Sequence, residues 1–411
     1  MALAKPRILD DALLRRLARE HGTPLFVYDA KTIRARIAEL AGFDAIRYAQ
    51  KANANLAILT LVRAEGVVVD AVSAGEVARA LRAGFSAEQI VFTADLFDRA
   101  ALAMLCEHRV PVNLGSPDMI EQYARLGVGT EIALRVNPGF GHGHDRKVAT
   151  GGELSKHGIW HEDLPSVIAR AEDRGLAVTG LHVHIGSGSD LEHLTRACGP
   201  MRELAATVAH TLKTVSAGGG LPIPYRAGEP RLDVERFTDA WLETKTGIEA
   251  EIGRAIRLEV EPGRYLVAEA GALLTEVRGT KKQGDVEFVL VDAGFHNLVR
   301  PAMYGAWHEI SVVGAPRDAS GTPKAVAGPL CESADVFTLD RDGEIAPRPL
   351  PDARESDLVC IHDAGAYAAS MASNYNSQPF AAEVLVDGSH VRLVRRRQPM
   401  QDLYRDEAID S

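Results

Sequence analysis

Cysteine is scarce in this chain: four residues, Cys106, Cys198, Cys331 and Cys360, stand scattered with no CxxC spacing. A structural zinc is therefore not expected, and a reduced, cytoplasmic protein is. No run of about 18 or more apolar residues occurs, which argues against a spanning helix. The first stretch, Met1 to His21, is broken by Lys5, Arg7, Asp10 and Asp11, so a signal-peptide core is not expected. A basic stripe is missing too. The formal charge is −10, which speaks against nucleic acid and anionic membrane as partners. Internal repeats, low-complexity tracts and a GxGxxG after the first strand are also absent.

What is present is an ordinary globular composition, 46% hydrophobic and 25% charged over 411 residues, with room for two domains. An N-terminal helix is predicted over Asp11 to His21, then a strand around Leu25 to Tyr28. Short apolar or β-branched runs follow, each with a polar or glycine-bearing end and most leading into an amphipathic helix: 46–49, 67–72, 90–93, 110–113, 132–136, 178–184, 215–217 and 257–261. Helical spacing covers 54–64, 74–83, 100–107 and 191–212. Eight such units predict a parallel (β/α)8 barrel in preference to an open doubly wound sheet. Past Ala272 the long helices stop. Strands are predicted at 273–281, 286–292, 324–327, 357–361, 382–386 and 391–395, as an antiparallel β domain joined by the N-terminal strand.

In a barrel the chemistry collects at the C-terminal ends of the strands. Lys51, where the first barrel strand gives out, reads either as a solvated charge or as an amine that forms a Schiff base. Gly218-Gly219-Gly220 either turns the chain or presents bare N–H groups to a phosphate, with Ser187 adding a hydroxyl. His184 is either a core histidine or a ring that stacks on a flat cofactor. Glu261 can keep a pyridine nitrogen protonated, and Arg264 supplies positive charge near a phosphate or substrate. The glycine-rich loop Gly139–Gly158 reads as a lid. Its His142, His144 and His157 invite a metal reading, which we set aside because no nearby cysteine or carboxylate set completes a site.

These pieces form a matched set. Tyr48-Ala49-Gln50-Lys51-Ala52-Asn53, Asp70-Ala71-Val72-Ser73-Ala74-Gly75-Glu76, Arg135-Val136-Asn137-Pro138-Gly139, Gly151-Gly152-Glu153-Leu154-Ser155-Lys156-His157-Gly158, His182-Val183-His184-Ile185-Gly186-Ser187, Gly218-Gly219-Gly220, Glu261-Pro262-Gly263-Arg264, Gly328-Pro329-Leu330-Cys331-Glu332-Ser333 and Gly365-Ala366-Tyr367 run from about Pro24 to Gln398. In that order they resemble the fold-type III pyridoxal-phosphate decarboxylases, and within them the diaminopimelate decarboxylase family. The resemblance implies an alanine-racemase-like barrel over residues 30–270, with 1–29 and 271–411 forming the β domain. It implies pyridoxal 5'-phosphate in Schiff-base linkage to Lys51, His184 stacked on the ring and Glu261 at its nitrogen. Asp70 would lie near the lysine. Ser187, Gly219, Gly220, Gly263, Arg264 and Tyr367 would lie around the cofactor. Arg264, Arg300, Tyr304, Glu332 and Tyr367 would hold the substrate, and Cys331 would be the general acid. A homodimer would share the site, the Cys331-Glu332 pair coming from the neighbouring subunit.

Arg300 and Glu332 together match a zwitterionic amino-acid terminus, because a guanidinium can fork onto a distal carboxylate while a carboxylate takes the ammonium. The implied reaction is loss of carbon dioxide from meso-2,6-diaminopimelate to give L-lysine. The alternatives are a decarboxylase of D-ornithine, D-lysine or a citryl-conjugated diamino acid, an amino-acid racemase, and a non-catalytic cofactor carrier. Arg300 argues against the simple diamines and Glu261 against a racemase. Trp307, His308 and Gln378 depart from the family's pattern with no account from sequence.

Overall fold

A computed structural model describes residues 9–143, 150–316 and 321–408. It divides into two compact units, one made of Arg34–Ile223 with Arg231–Leu266, the other of Met1–Ile33, Pro224–Pro230 and Val267–Ser411.

The first unit is a closed barrel of eight parallel strands: Ala45–Ala49, Val68–Ala71, Ile90–Ala94, Val112–Leu114, Glu131–Asn137, Ala177–Val183, Thr214–Ser216 and Arg257–Val260. They pair in sequence order, and the last returns to the first with Glu259 opposite Ala45 and Val260 opposite Ile46. All eight lie within two residues of their expected places. Their apolar positions are fully buried, as in Val69, Phe92, Leu134, Leu181, Val215 and Leu258. Polar positions are buried as well: Arg47, Asn113, His182, Ser216 and Glu259, with the half-buried Glu261, line one cavity of about 410 Å³. Charges tolerate that setting only when paired, and Arg47 meets Glu259 at 2.8 Å.

One expected helix is two. Instead of running through 191–212, the chain forms Leu191–Arg196 and Cys198–Thr207, which meet at Ala197. Pro200 is the cause, since it has no N–H for the carbonyl of Arg196 and its ring crowds that carbonyl. The longest helix, Val234–Ile252, was not singled out by the sequence reading; Asp233 caps it, and it buries Phe237, Trp241 and Ile248.

In the second unit Gly271–Gln283 is the hub, hydrogen-bonded to Leu25–Asp29, Val286–Val291 and Leu358–Ile361. The N-terminal strand does join this domain. The sheet, however, is mixed and not wholly antiparallel: Leu25–Asp29 runs parallel to Ala382–Asp387, and Val286–Val291 parallel to Pro323–Ala327. Alternation of side chains has the same period in either direction, so the pattern could not distinguish them. Ile310–Val312 and Arg348–Pro349 are further strands, too short to show alternation. Helix Asp11–His21, capped by Asp10, packs Leu14 and Leu17 onto Leu25, Val27, Leu274 and Val384. Among the described residues no helix is long and apolar enough to cross a membrane.

Candidate active site

Strand Ala45–Ala49 ends in a single 3-10 turn, Gln50–Ala52, which presents Lys51 exposed. Most other residues of that motif brace the turn. The Tyr48 hydroxyl donates to Asn53 O at 2.9 Å, Gln50 Nε2 to Asp70 O at 3.2 Å, and Ala49 N to Pro262 O at 3.1 Å. A Cβ on Gly263 would sit 3.2 Å from Ala49 O, so Gly263 admits close approach of the Glu261 loop to the lysine turn.

Around this turn the barrel holds buried ionisable groups at opposite settings. Burial pushes the Asp70 carboxyl up to about 6, Glu261 adds to the rise, and Lys51 opposes it. Burial likewise lifts Glu76 to about 7 against the hydrogen bond from Val72 N. Glu261 goes the other way. Its burial favours the neutral acid, but His182, Ser216 and Arg47 outweigh that and hold the carboxyl far below the usual range. Ser216 Oγ donates to it at 2.7 Å, and His182 Nε2 lies 2.9 Å away.

His184 is kept neutral, its pKa driven well below the usual value by burial and then by Arg135 and Lys51. Its Nδ1 accepts the Gly219 N–H at 3.1 Å, which places the ring proton on Nε2. The triple glycine is required by close packing. A Cβ on Gly219 would fall 2.2 Å from Glu261 O, and one on Gly220, whose φ is +93°, would fall 2.2 Å from Gly186 O. Beside this run Arg264 Nη2 donates to Ser187 Oγ at 2.9 Å. The barrel thus brings together Lys51, Asp70, His184, Ser187, Gly219, Gly220, Glu261, Gly263 and Arg264. In the Gly139–Gly158 loop, His157 pairs with Asp95 at 2.5 Å, and Asn137 Oδ1 accepts from Gly139 N and Gly152 N. His144 lies outside the described residues.

The remaining candidates, Arg300, Tyr304, Cys331, Glu332 and Tyr367, belong to the second unit. Arg300 opens helix Arg300–Tyr304 and is 2% exposed. Its Nη1 meets His308 Nε2 at 2.8 Å, and its guanidinium lies 4.7 Å from the centre of the Tyr225 ring. His308 Nδ1 faces His362 O at 2.8 Å, so that nitrogen carries the proton and Nε2 accepts from the arginine. Two of the unexplained departures therefore have an account: His308 orients Arg300, and Trp307 packs its ring against the guanidinium groups of Arg226 and Arg348. Gln378 is bonded through its backbone to Tyr375 and Asn374, and nothing in the structure explains its side chain.

Cys331 is exposed, its backbone N–H donating to Asn376 Oδ1 at 2.9 Å. The Tyr375 hydroxyl donates to Glu332. Behind them is a residue the sequence reading missed: Asp335, whose carboxylate accepts from Phe295 N and Leu330 N, both at 2.7 Å. No motif announces it, because its partners are backbone groups. Tyr304 and Tyr367 are half-buried, Tyr367 at a φ of +55°.

Residues 31–268 match the pyridoxal binding domain of the pyridoxal-dependent decarboxylases. A diaminopimelate decarboxylase of Streptomyces coelicolor is 52% identical over 98% of this chain and 93% of its own length. The chain belongs to the pyridoxal-dependent decarboxylase family. A solved diaminopimelate decarboxylase structure is 47% identical, with a TM-score of 0.93 over 97% of this chain and 96% of that one. A Helicobacter pylori diaminopimelate decarboxylase complexed with L-lysine is 30% identical, with a TM-score of 0.86 over 95% and 98%.

The family's cofactor is pyridoxal 5'-phosphate, and the barrel residues fit it. They offer a primary amine, a neutral flat imidazole, side-chain-free backbone beside an arginine, and a carboxylate held ionised. Asp70 Oδ1 and Gln50 Oε1 are buried without a hydrogen-bond partner at the lysine turn, as befits a place made for a further polar group.

Proposed function

We propose that this chain decarboxylates meso-2,6-diaminopimelate to L-lysine and carbon dioxide, the last step of lysine synthesis. The observation that carries the chemistry is Glu261, buried yet held anionic by Ser216 and His182. When bound, pyridoxal 5'-phosphate supplies a conjugated ring that takes up the electron pair left by the departing carboxylate. Lys51 would hold the cofactor through its amine. Glu261 keeps the ring nitrogen protonated, and a neutral His184 covers the ring without adding charge. Ser187, Gly219, Gly220, Arg264 and Tyr367 hold the phosphate side. Cys331 then gives its proton to the carbon that lost carbon dioxide.

For the substrate, Arg300 with its neighbours His308 and Tyr225 offers a fixed fork to the distal carboxylate. Glu332 takes the distal ammonium, while Tyr304, Tyr367 and Arg264 complete the grip. We assign Cys331 and Glu332 to the site of a second copy, in a homodimer, which accords with their exposure in the single chain. The test measures carbon dioxide release from meso-diaminopimelate, D-lysine and D-ornithine. The diamino diacid should dominate kcat/KM. Equal or greater turnover of D-lysine would overturn the assignment, and racemised substrate without gas release would replace it with racemase chemistry.

A further inference from the structure

The metal reading of the glycine loop failed on sequence for want of a carboxylate, and the fold brings one from elsewhere. His142 lies on that loop, Asp190 and His193 at the start of helix Leu191–Arg196. One donor atom from each lies within 4.8 Å of the other two. The two imidazoles stack with centroids 3.6 Å apart, and His142 Nδ1 is buried with no hydrogen-bond partner. We propose that His142, Asp190 and His193 form a site for a divalent transition-metal cation, of which Zn²⁺ is the best match.

The donor set suits the ion. Two imidazoles and a carboxylate are borderline ligands for Zn²⁺, and water fills the remaining positions of such an open site. Ligands bonded at about 2.1 Å lie roughly 3.4 Å apart around a tetrahedral ion, so small rotations about the side-chain bonds close the gap. The backbone is already set. His142 N donates to Ile185 O at 2.9 Å, and Ser189 Oγ donates to His142 O at 2.8 Å. The base of the loop closes where Gly141 meets Gly151, since a Cβ on Gly141 would fall 2.4 Å from Gly151 O. Arg196, from the same short helix as His193, sits 4.4 Å over the Phe140 ring. Asp190 Oδ1 already lies 2.8 Å from His193 Nδ1, so a carboxylate oxygen and an imidazole nitrogen stand side by side and the ion would replace the proton they share. A bound cation would clamp the Gly139–Gly158 loop to the segment that follows Ser187. Its role is to hold the loop, and no step of the reaction passes through it.

The experiment uses cofactor-loaded enzyme freed of metal with a chelator. To remove competition from the exposed thiol it is done in a Cys331→Ser background, and Zn²⁺ or Co²⁺ is titrated by calorimetry. One ion per chain is expected. His193→Gln and Asp190→Asn, with circular dichroism and cofactor absorbance unchanged, should each weaken binding by roughly tenfold or more. X-ray absorption should show imidazole nitrogen around the ion. Absence of binding at millimolar Zn²⁺, or native-like binding by both variants, would overturn the proposal.

Discussion

The barrel mouth and the loops of the second unit handle reactive groups in opposite ways. In the barrel, Asp70, His182, Glu259 and Arg135 are all 9% exposed or less, and there burial and neighbouring charges set the protonation of Asp70 and Glu261. Glu261 and Asp70 are both carboxylates, yet one is driven to the anion and the other toward the acid, by partners in one case and by desolvation in the other. On the loops, Cys331 and Glu332 stand exposed, and what is rigid is the backbone beneath them, tied by Asn376 and Asp335. A desolvated site comes ready-made with its protonation states.

That contrast is broken most severely by separating the two halves. Lys51→Ala and Cys331→Ala should each lower activity to near background, because each removes a different part of one site. If the halves come from different chains, mixing and re-forming the two variants should restore about a quarter of native activity, since half of randomly paired dimers are hybrids with one intact site. No recovery on mixing would place the thiol with its own barrel. Second in size is Glu261→Gln, expected to cost about 10²–10³-fold in kcat, the scale for a preorganised charge in a dry site. Its check is steady-state kcat alongside cofactor absorbance. A loss under tenfold would mean that the carboxylate is not what maintains the electron sink.

How much was legible follows from where each interaction is encoded. Lys51, the Gly218–Gly220 run and Glu261 could be read because each stands at the end of a strand whose apolar run is visible in the sequence. Function there is local to a motif. His308 could not be read, because its meaning depends on a carbonyl at His362 and a guanidinium at Arg300 that the sheet brings together. Asp335 was hidden since its partners are backbone amides, and every sequence has those. The carboxylate missing from the histidine loop lies at Asp190, 48 positions beyond His142, and it is the parallel pairing of strands Glu131–Asn137 and Ala177–Val183 that makes them neighbours. The two parallel pairings in the mixed sheet were invisible for a similar reason: strand direction depends on the route of the intervening chain.

Arg300 sharpens the comparison, being the substrate-side candidate of the second unit that is buried as thoroughly as the barrel charges. Arg300→Lys keeps the charge and loses the fork, along with the bond to His308 and the packing on Tyr225. One lost charge-assisted hydrogen bond of about 1.5–3 kcal/mol corresponds to roughly 10–100-fold in kcat/KM for meso-diaminopimelate. Turnover of D-lysine, which lacks the distal carboxylate, should change far less. His308→Ala should follow the same pattern more weakly, and an equal loss on both substrates would make Arg300 a structural residue only.

The smallest effect concerns pH, and it isolates the barrel from the loops because no substrate is needed. Glu76 is raised from 4.5 to about 7 by burial, with Asp70 adding to the rise, and Asp70 itself is raised from 3.8 to about 6. In both cases the folded chain binds its proton more tightly than the unfolded chain does. The stability they confer is therefore complete below about pH 4 and is lost as pH rises through about 6 for Asp70 and about 7 for Glu76. Replacing Glu76 with glutamine removes one of these titrations and keeps the acceptor oxygen that faces Val72 N. Urea unfolding of the cofactor-loaded enzyme should then show a smaller fall in stability between pH 5 and pH 8 than the native chain shows, by about 2 kcal/mol. Val72→Ala, at the far end of the same hydrogen bond, retains the carboxyl and should leave the fall intact. If Glu76→Gln and native enzyme lose stability in parallel across that window, the carboxyl is already ionised at neutral pH and the barrel mouth is wetter than its burial implies.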